Sequence, residues 1–123
     1  MPTPRAALCV IVAIAALIGG PDIQAADPTF SKDIGPIFTS RCVNCHGPKR
    51  QKNDLRLDSA EAVKKGGKNG PVFIAGNPDK SPIYHRTTRP PGDEDRMPAT
   101  GEPLTKQQTD AIKAWITAGA KFD

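Results

Sequence analysis

The run Cys42-Val43-Asn44-Cys45-His46 constrains this chain more than any other feature, because it gathers three metal- or thiol-active side chains within five residues. On a helical turn, cysteines three apart project to the same side. Four kinds of chemistry use such a pair. A dithiol redox site needs a thioredoxin-like βαβ setting, and no such pattern surrounds this one. A structural zinc needs four ligands, yet beyond Cys42, Cys45 and His46 the sequence offers only His85 once Cys9 is assigned to a leader. A plain disulfide across two intervening residues would be strained, and it leaves His46 without a role.

The fourth chemistry accounts for all three side chains. CxxCH is the attachment signature of c-type haem: both sulfurs form thioethers to the vinyl groups on one porphyrin edge, and the histidine that follows is carried under the ring to bind iron. The expected cofactor is one covalent haem c, held by Cys42 and Cys45 with His46 as proximal ligand.

The rest of the composition supports a need for such a group. From Ala26 to Asp123 only 19 residues are large and apolar, while Gly and Pro together supply another 19. So thin a core in a chain of 98 residues calls for a staple such as a disulfide, a metal or a cofactor. The same arithmetic disfavours a large enzyme or a membrane transporter.

Helical periodicity is the dominant pattern. A first helix is expected after Ser31 as N-cap, with Ile34, Ile37 and Phe38 on one face and Pro36 absorbed in its first turn. A short second helix spans about Ser59 to Lys65 and stops at Gly66-Gly67. Ser81-Pro82 opens a third turn through Tyr84, as N-cap and first helical residue. The last helix is the clearest: Thr105 and Gln108 form a capping box, and Ile112, Trp115 and Ile116 make an apolar stripe ending before Gly119. That stripe is expected to pack on the face of the first helix. Val72-Phe73-Ile74 is too short to be a strong strand signal, and the connections are long unless something fills the middle.

A haem iron in an electron carrier takes a sixth ligand, commonly a methionine thioether. Met97, 51 residues beyond His46, is the one methionine outside the leader, and it sits before Pro98 in a polar loop with no apolar neighbour to pack against. Met97 is therefore the expected distal ligand, with His85 as the alternative. The carbonyl of Pro48 or Pro71 is a candidate acceptor for the second ring nitrogen of His46. Arg86, Arg89 and Arg96 are candidate partners for a haem propionate, although solvated arginines are the plainer reading. Trp115 is expected to serve in helix packing, with its indole N–H as an alternative propionate donor.

Met1 to Ala25 has the layout of a secretory signal peptide: Arg5, an apolar run Ala6–Ile18, a Gly19-Gly20-Pro21 break and small residues at Ala25 and Ala26. Cleavage is expected after Ala25 or Ala26, leaving a domain over 26–123. The apolar run is short of the roughly 20 residues that span a bilayer, so a membrane tether is expected only if the leader is retained. The localisation expected is therefore exported, in the periplasm. The net charge of +4 is mild. Lys49, Arg50, Lys52, Lys64, Lys65 and Lys68 lack interleaved aromatics, so they read as a solvated face and not as a nucleic-acid surface.

The stretches FSKDIGPIFTSRCVNCHGP, DLRLDSAEAVKKGG, IAGNPDKSPIYHRT, RMPATGEPLT and AIKAWITAGA together resemble the cytochrome c superfamily, and more narrowly the planctomycete-type cytochrome c domain, over Phe30 to Ala120. The resemblance implies an all-α class: a small helical fold with long loops wrapped round one covalent haem, in which the first and last helices cross. It also implies Cys42 and Cys45 as attachment points, His46 as proximal and Met97 as distal ligand. The expected function is one-electron transfer between redox partner proteins, with no bond made or broken in a substrate. With two propionates ionised the holo charge is about +2, so docking to an acidic patch is steered moderately and weakens with salt. Two alternatives turn on Met97: a haem-based gas sensor in which it is displaced, and a small peroxidase-like protein with an open distal site.

Overall fold

The computed structural model describes residues 26–123 together with Pro2, Gly19 and Gly20; apart from those three residues the expected leader lies outside the described residues. Among the described residues the architecture is helical without strands, and two isolated antiparallel bridges, His46 with Gln51 and Gly67 with Gly70, are the sole extended pairings. No helix among the described residues is long and apolar enough to cross a membrane.

The chain enters through a π turn, Phe30–Ile34, that runs straight into α1, Gly35–Arg41. Thr29 caps this entry, not Ser31: its hydroxyl accepts from Lys32 N at 3.4 Å, and its own N–H donates to the Asp33 carboxylate at 2.8 Å. Ser31 is drawn away by Asp123, whose carboxylate accepts from Ser31 N at 2.8 Å and from its hydroxyl. The wide turn, closed by Gly35 N–H to Phe30 O, delivers Pro36 into the first turn of α1, where its missing N–H is not needed. Ile34, Ile37 and Phe38 are buried together, as their spacing predicts.

α2, Ala60–Lys65, begins at Ser59, whose hydroxyl accepts from Ala62 N, and stops at Gly66. Gly66 has φ +73°, and a Cβ there would meet the Gly70 carbonyl oxygen at 2.5 Å, so no other residue fits this hairpin-like corner. α3, Pro82–Thr87, starts after Ser81 as its proline signal predicts. Ser81 itself makes no capping bond; its buried hydroxyl accepts from Ile74 N at 2.8 Å and donates to Asn77 O at 2.8 Å, stitching the preceding loop. The Val72–Ile74 segment forms no strand; it is held as loop, with Ile83 N donating to Val72 O.

α4, Lys106–Thr117, carries the full capping box from Thr105 and Gln108. Its stripe of Ile112, Trp115 and Ile116 is fully buried. Trp115 is the hub: its ring lies 5.9 Å from Phe30, 5.3 Å from Phe73 and 5.3 Å from Phe122, the last pair edge to face. This aromatic cluster joins the entry of the first helix to the last helix, and truncating a residue in Trp115's place to alanine costs about 3–5 kcal/mol. The apolar core therefore lies on one side of α1 and α4, and leaves the other end of α1 free to build a site.

Candidate functional site

Cys42 follows directly on α1, so the helix end aims the motif. The chain turns tightly there: Cys45 N and His46 N both donate to the Cys42 carbonyl, at 3.2 and 2.9 Å. Gly47 completes the turn, and a Cβ on it would meet the Val43 carbonyl oxygen at 2.4 Å. The following loop is hooked back by Lys52 N to Cys45 O at 3.1 Å and Leu57 N to His46 O at 2.8 Å. Leu55 and Leu57, two apart in extended chain, consequently face the same side as the motif.

A mostly apolar cavity of about 520 Å³ opens against this turn, within the ordinary range for cofactor sites. Cys42, Cys45, His46, Leu55 and Leu57 form one part of its wall. Ile83, Arg86 and Thr87, at i, i+3 and i+4 on α3, form another, together with Val72. The loop Gly67–Pro71 and the segment Met97–Glu102 supply two further parts. Met97 is set at the start of that segment by its N–H, which donates to the Arg86 carbonyl at 2.9 Å. The structure thus brings Cys42, Cys45, His46 and Met97 to one cavity from two distant stretches of sequence.

His46 is buried, and its Nδ1–H donates to the Lys52 carbonyl at 3.1 Å, which leaves the Nε2 lone pair free. Burial lowers its pKa below the ordinary histidine value, so the ring is held neutral, the form a metal requires. The acceptor is Lys52 and not Pro48 or Pro71, because the loop folds back to place the Lys52 carbonyl beside the ring. Burial also pushes the Cys42 thiol up to about 11. A thiol held protonated is the reverse of the depressed pKa that dithiol oxidoreductases use. Among the described residues no three His, Cys, Asp or Glu side chains converge on a metal-binding point, and Cys42 and Cys45 are both free.

The remaining candidates separate cleanly. His85 is exposed, lies against the Asp79 carbonyl and is not part of the cavity wall. The indole N–H of Trp115 donates to Lys121 O at 2.9 Å inside the aromatic core, which removes it as a propionate donor. Arg89 pairs with Asp93 at 3.1 Å. Arg86 lines the cavity and lies 3.7 Å from Asp95. Arg96, next to Met97, keeps a buried Nη1 with no partner in the protein.

Sequence reasoning passes over Arg41. Its guanidinium lines the cavity beside Cys42 and donates to Glu102 O at 2.6 Å, Pro103 O at 3.4 Å and Gln108 Oε1 at 3.2 Å. No local pattern announces this, since all three acceptors lie more than sixty residues away.

Two thiols and an imidazole on one wall of an apolar cavity, with a thioether on another, suit the class of haem-binding c-type cytochromes. A model of the family described as Planctomycete cytochrome C matches residues 42–101, the stretch that contains all four residues. This segment is a planctomycete-type cytochrome c domain, of a class that binds haem c and transfers electrons. No curated protein and no solved structure matches the chain.

Proposed function

We propose that this protein is an exported cytochrome that carries one haem c and passes one electron at a time between redox partner proteins. The observation that carries the reading is the convergence of Cys42, Cys45, His46 and Met97 on a single cavity of cofactor size. The donor set fits the group: two cysteine sulfurs for thioethers, a neutral imidazole with its Nδ1 engaged by the Lys52 carbonyl, and a thioether sulfur. Bound there, the haem would supply an iron that cycles between ferric and ferrous states.

The chain's own residues do the rest. Cys42 and Cys45 would tether the ring's edge, and His46, oriented by the Lys52 carbonyl, would ligate from one side. The Lys52 contact fixes the tautomer and strengthens the imidazole as a donor. Met97 would ligate as the sixth donor, raising the reduction potential. Arg86, on the cavity wall, and Arg96, with its unsatisfied Nη1, are the two arginines that would meet propionates. Export follows from the leader-like first 25 residues, and a periplasmic location suits an attachment chemistry completed outside the cytoplasm.

The test is the visible spectrum of protein matured with haem-attachment machinery, taken oxidised, reduced and reduced under carbon monoxide, with intact mass alongside. A mass increase of one haem and a six-coordinate reduced form unchanged by carbon monoxide are expected. Met97→Ala should then bind carbon monoxide and show a sharply lower reduction potential. A potential equal to that of the unsubstituted protein would refute Met97 as ligand; ready carbon monoxide binding by the unsubstituted protein would favour a sensor or peroxidase-like role.

A further inference from the structure

The segment from Met97 to Pro103 is an exposed strap: Ala99 through Glu102 are all exposed. Within it, from Pro98 to Pro103, no backbone N–H donates to another backbone group. At its start Met97 N–H is held by the Arg86 carbonyl. Partway along, Arg96 reaches Gly101 O at a long 3.4 Å. The strap's far end is held by one side chain. Arg41 donates to Glu102 O at 2.6 Å and to Pro103 O at 3.4 Å, while its other terminal nitrogen donates to Gln108 of the α4 capping box at 3.2 Å. Leu104 buries itself only after the strap has ended.

We infer that Arg41 is a positioning residue for the distal ligand: as the last residue of α1, next to Cys42, it pins the Glu102–Pro103 end of the strap to the haem-attachment turn and so keeps the Met97 sulfur in place. The inference rests on the reading of Met97 as ligand. Its physical basis is that the strap cannot hold its own shape. A loop without internal backbone bonds opens at little cost, whereas bonds donated by a charged guanidinium are about twice as strong as neutral ones. The planar fork presents one terminal nitrogen to two carbonyls and the other to an amide oxygen, a fixed two-nitrogen geometry that an ammonium group does not reproduce. A link between the proximal turn and the distal strap also means that tethering Cys42 and presenting Met97 are one structural event.

The experiment measures imidazole binding to the ferric holoprotein, together with the absorption band of the methionine–iron bond. An outside ligand must displace Met97, so its apparent affinity reports the fraction of strap that is open. Arg41→Met keeps the aliphatic stem and removes the fork; it should bind imidazole about tenfold more tightly and lose part of the band, as expected for the loss of one charge-assisted anchor. Arg41→Lys should fall between it and the unsubstituted protein. Ser59→Ala weakens the α2 cap, which shares no bond with Arg41 or the strap, so it should lower the melting temperature and leave imidazole affinity as it is.

Imidazole affinity unchanged in Arg41→Met, or raised equally in Ser59→Ala, would overturn the positioning role. Should Arg41→Met fail to accumulate as holoprotein, Arg41→Lys decides alone: affinity equal to that of the unsubstituted protein overturns the inference. Met97→Ala separates the two levels. If it retains the methionine band, the ligand reading fails and this inference falls with it; if it loses the band while Arg41→Met keeps unsubstituted imidazole affinity, only the inference fails.

Discussion

Gly47 occupies the point of closest approach in the attachment turn, where a methyl group would sit 2.4 Å from the Val43 carbonyl oxygen. Neither atom belongs to a flexible side chain, so the clash cannot be relieved by a rotamer change. Gly47→Ala should therefore destabilise the folded holoprotein by about 1–3 kcal/mol, the range of overpacked sites. Thermal unfolding of the two holoproteins measures it, and an equal melting temperature would show that the turn can relax. At this scale the donors are open to sequence reading because their chemistry is rare: two cysteines, one histidine and one methionine in a chain with few of each. Arg41, Gly47 and the Lys52 carbonyl are not. An arginine among many arginines, a glycine among many glycines and a backbone oxygen carry no chemical label, and each acquires its role only when the chain folds.

Elements show the same division between local and distant causes. The capping box at Thr105, the proline-led start of α3 and the Gly66 stop of α2 are each settled within four residues, and all of them stand where the spacing predicts. The first helix departs from expectation because its start is decided from 92 residues away: Asp123 takes the Ser31 N–H and hydroxyl, and Thr29 caps instead. The Ser31 bonds hold the Asp123 carboxyl below its ordinary value of 3.8. A carboxyl whose folded pKa is depressed binds its proton more readily in the unfolded chain, so its contribution is complete above about pH 3.8 and fades as the pH drops through the lower folded value. Asp123→Asn should accordingly lower the melting temperature of the holoprotein near neutral pH, with the gap to the unsubstituted protein closing below pH 3.8. A gap that stays constant under acid would show that Asp123 acts through something other than its charge.

For the whole molecule, the decisive quantity is the space between the two halves of the fold. The aromatic cluster around Trp115 binds the first helix to the last, but the attachment turn, α3 and the Met97 strap are arranged around a cavity of about 520 Å³. The apolar walls of this open cavity are taken out of water only by a group that fills it, so without one the fold forgoes that share of its burial. A domain of this length has only about 5–15 kcal/mol of net stability in total. The shortage of large apolar residues points to this same deficit from composition alone, although composition says nothing of which segments surround the space. Chain produced without haem attachment, for example as Cys42→Ala with Cys45→Ala, should therefore lack a cooperative thermal transition. It should keep part of its helical far-ultraviolet dichroism while the near-ultraviolet signal of Trp115 is weakened or lost. The holoprotein should unfold in one sharp step under the same conditions. If the haem-free chain instead melts cooperatively at a similar temperature, the aromatic core is sufficient by itself, and the cofactor is a passenger in a fold that does not depend on it.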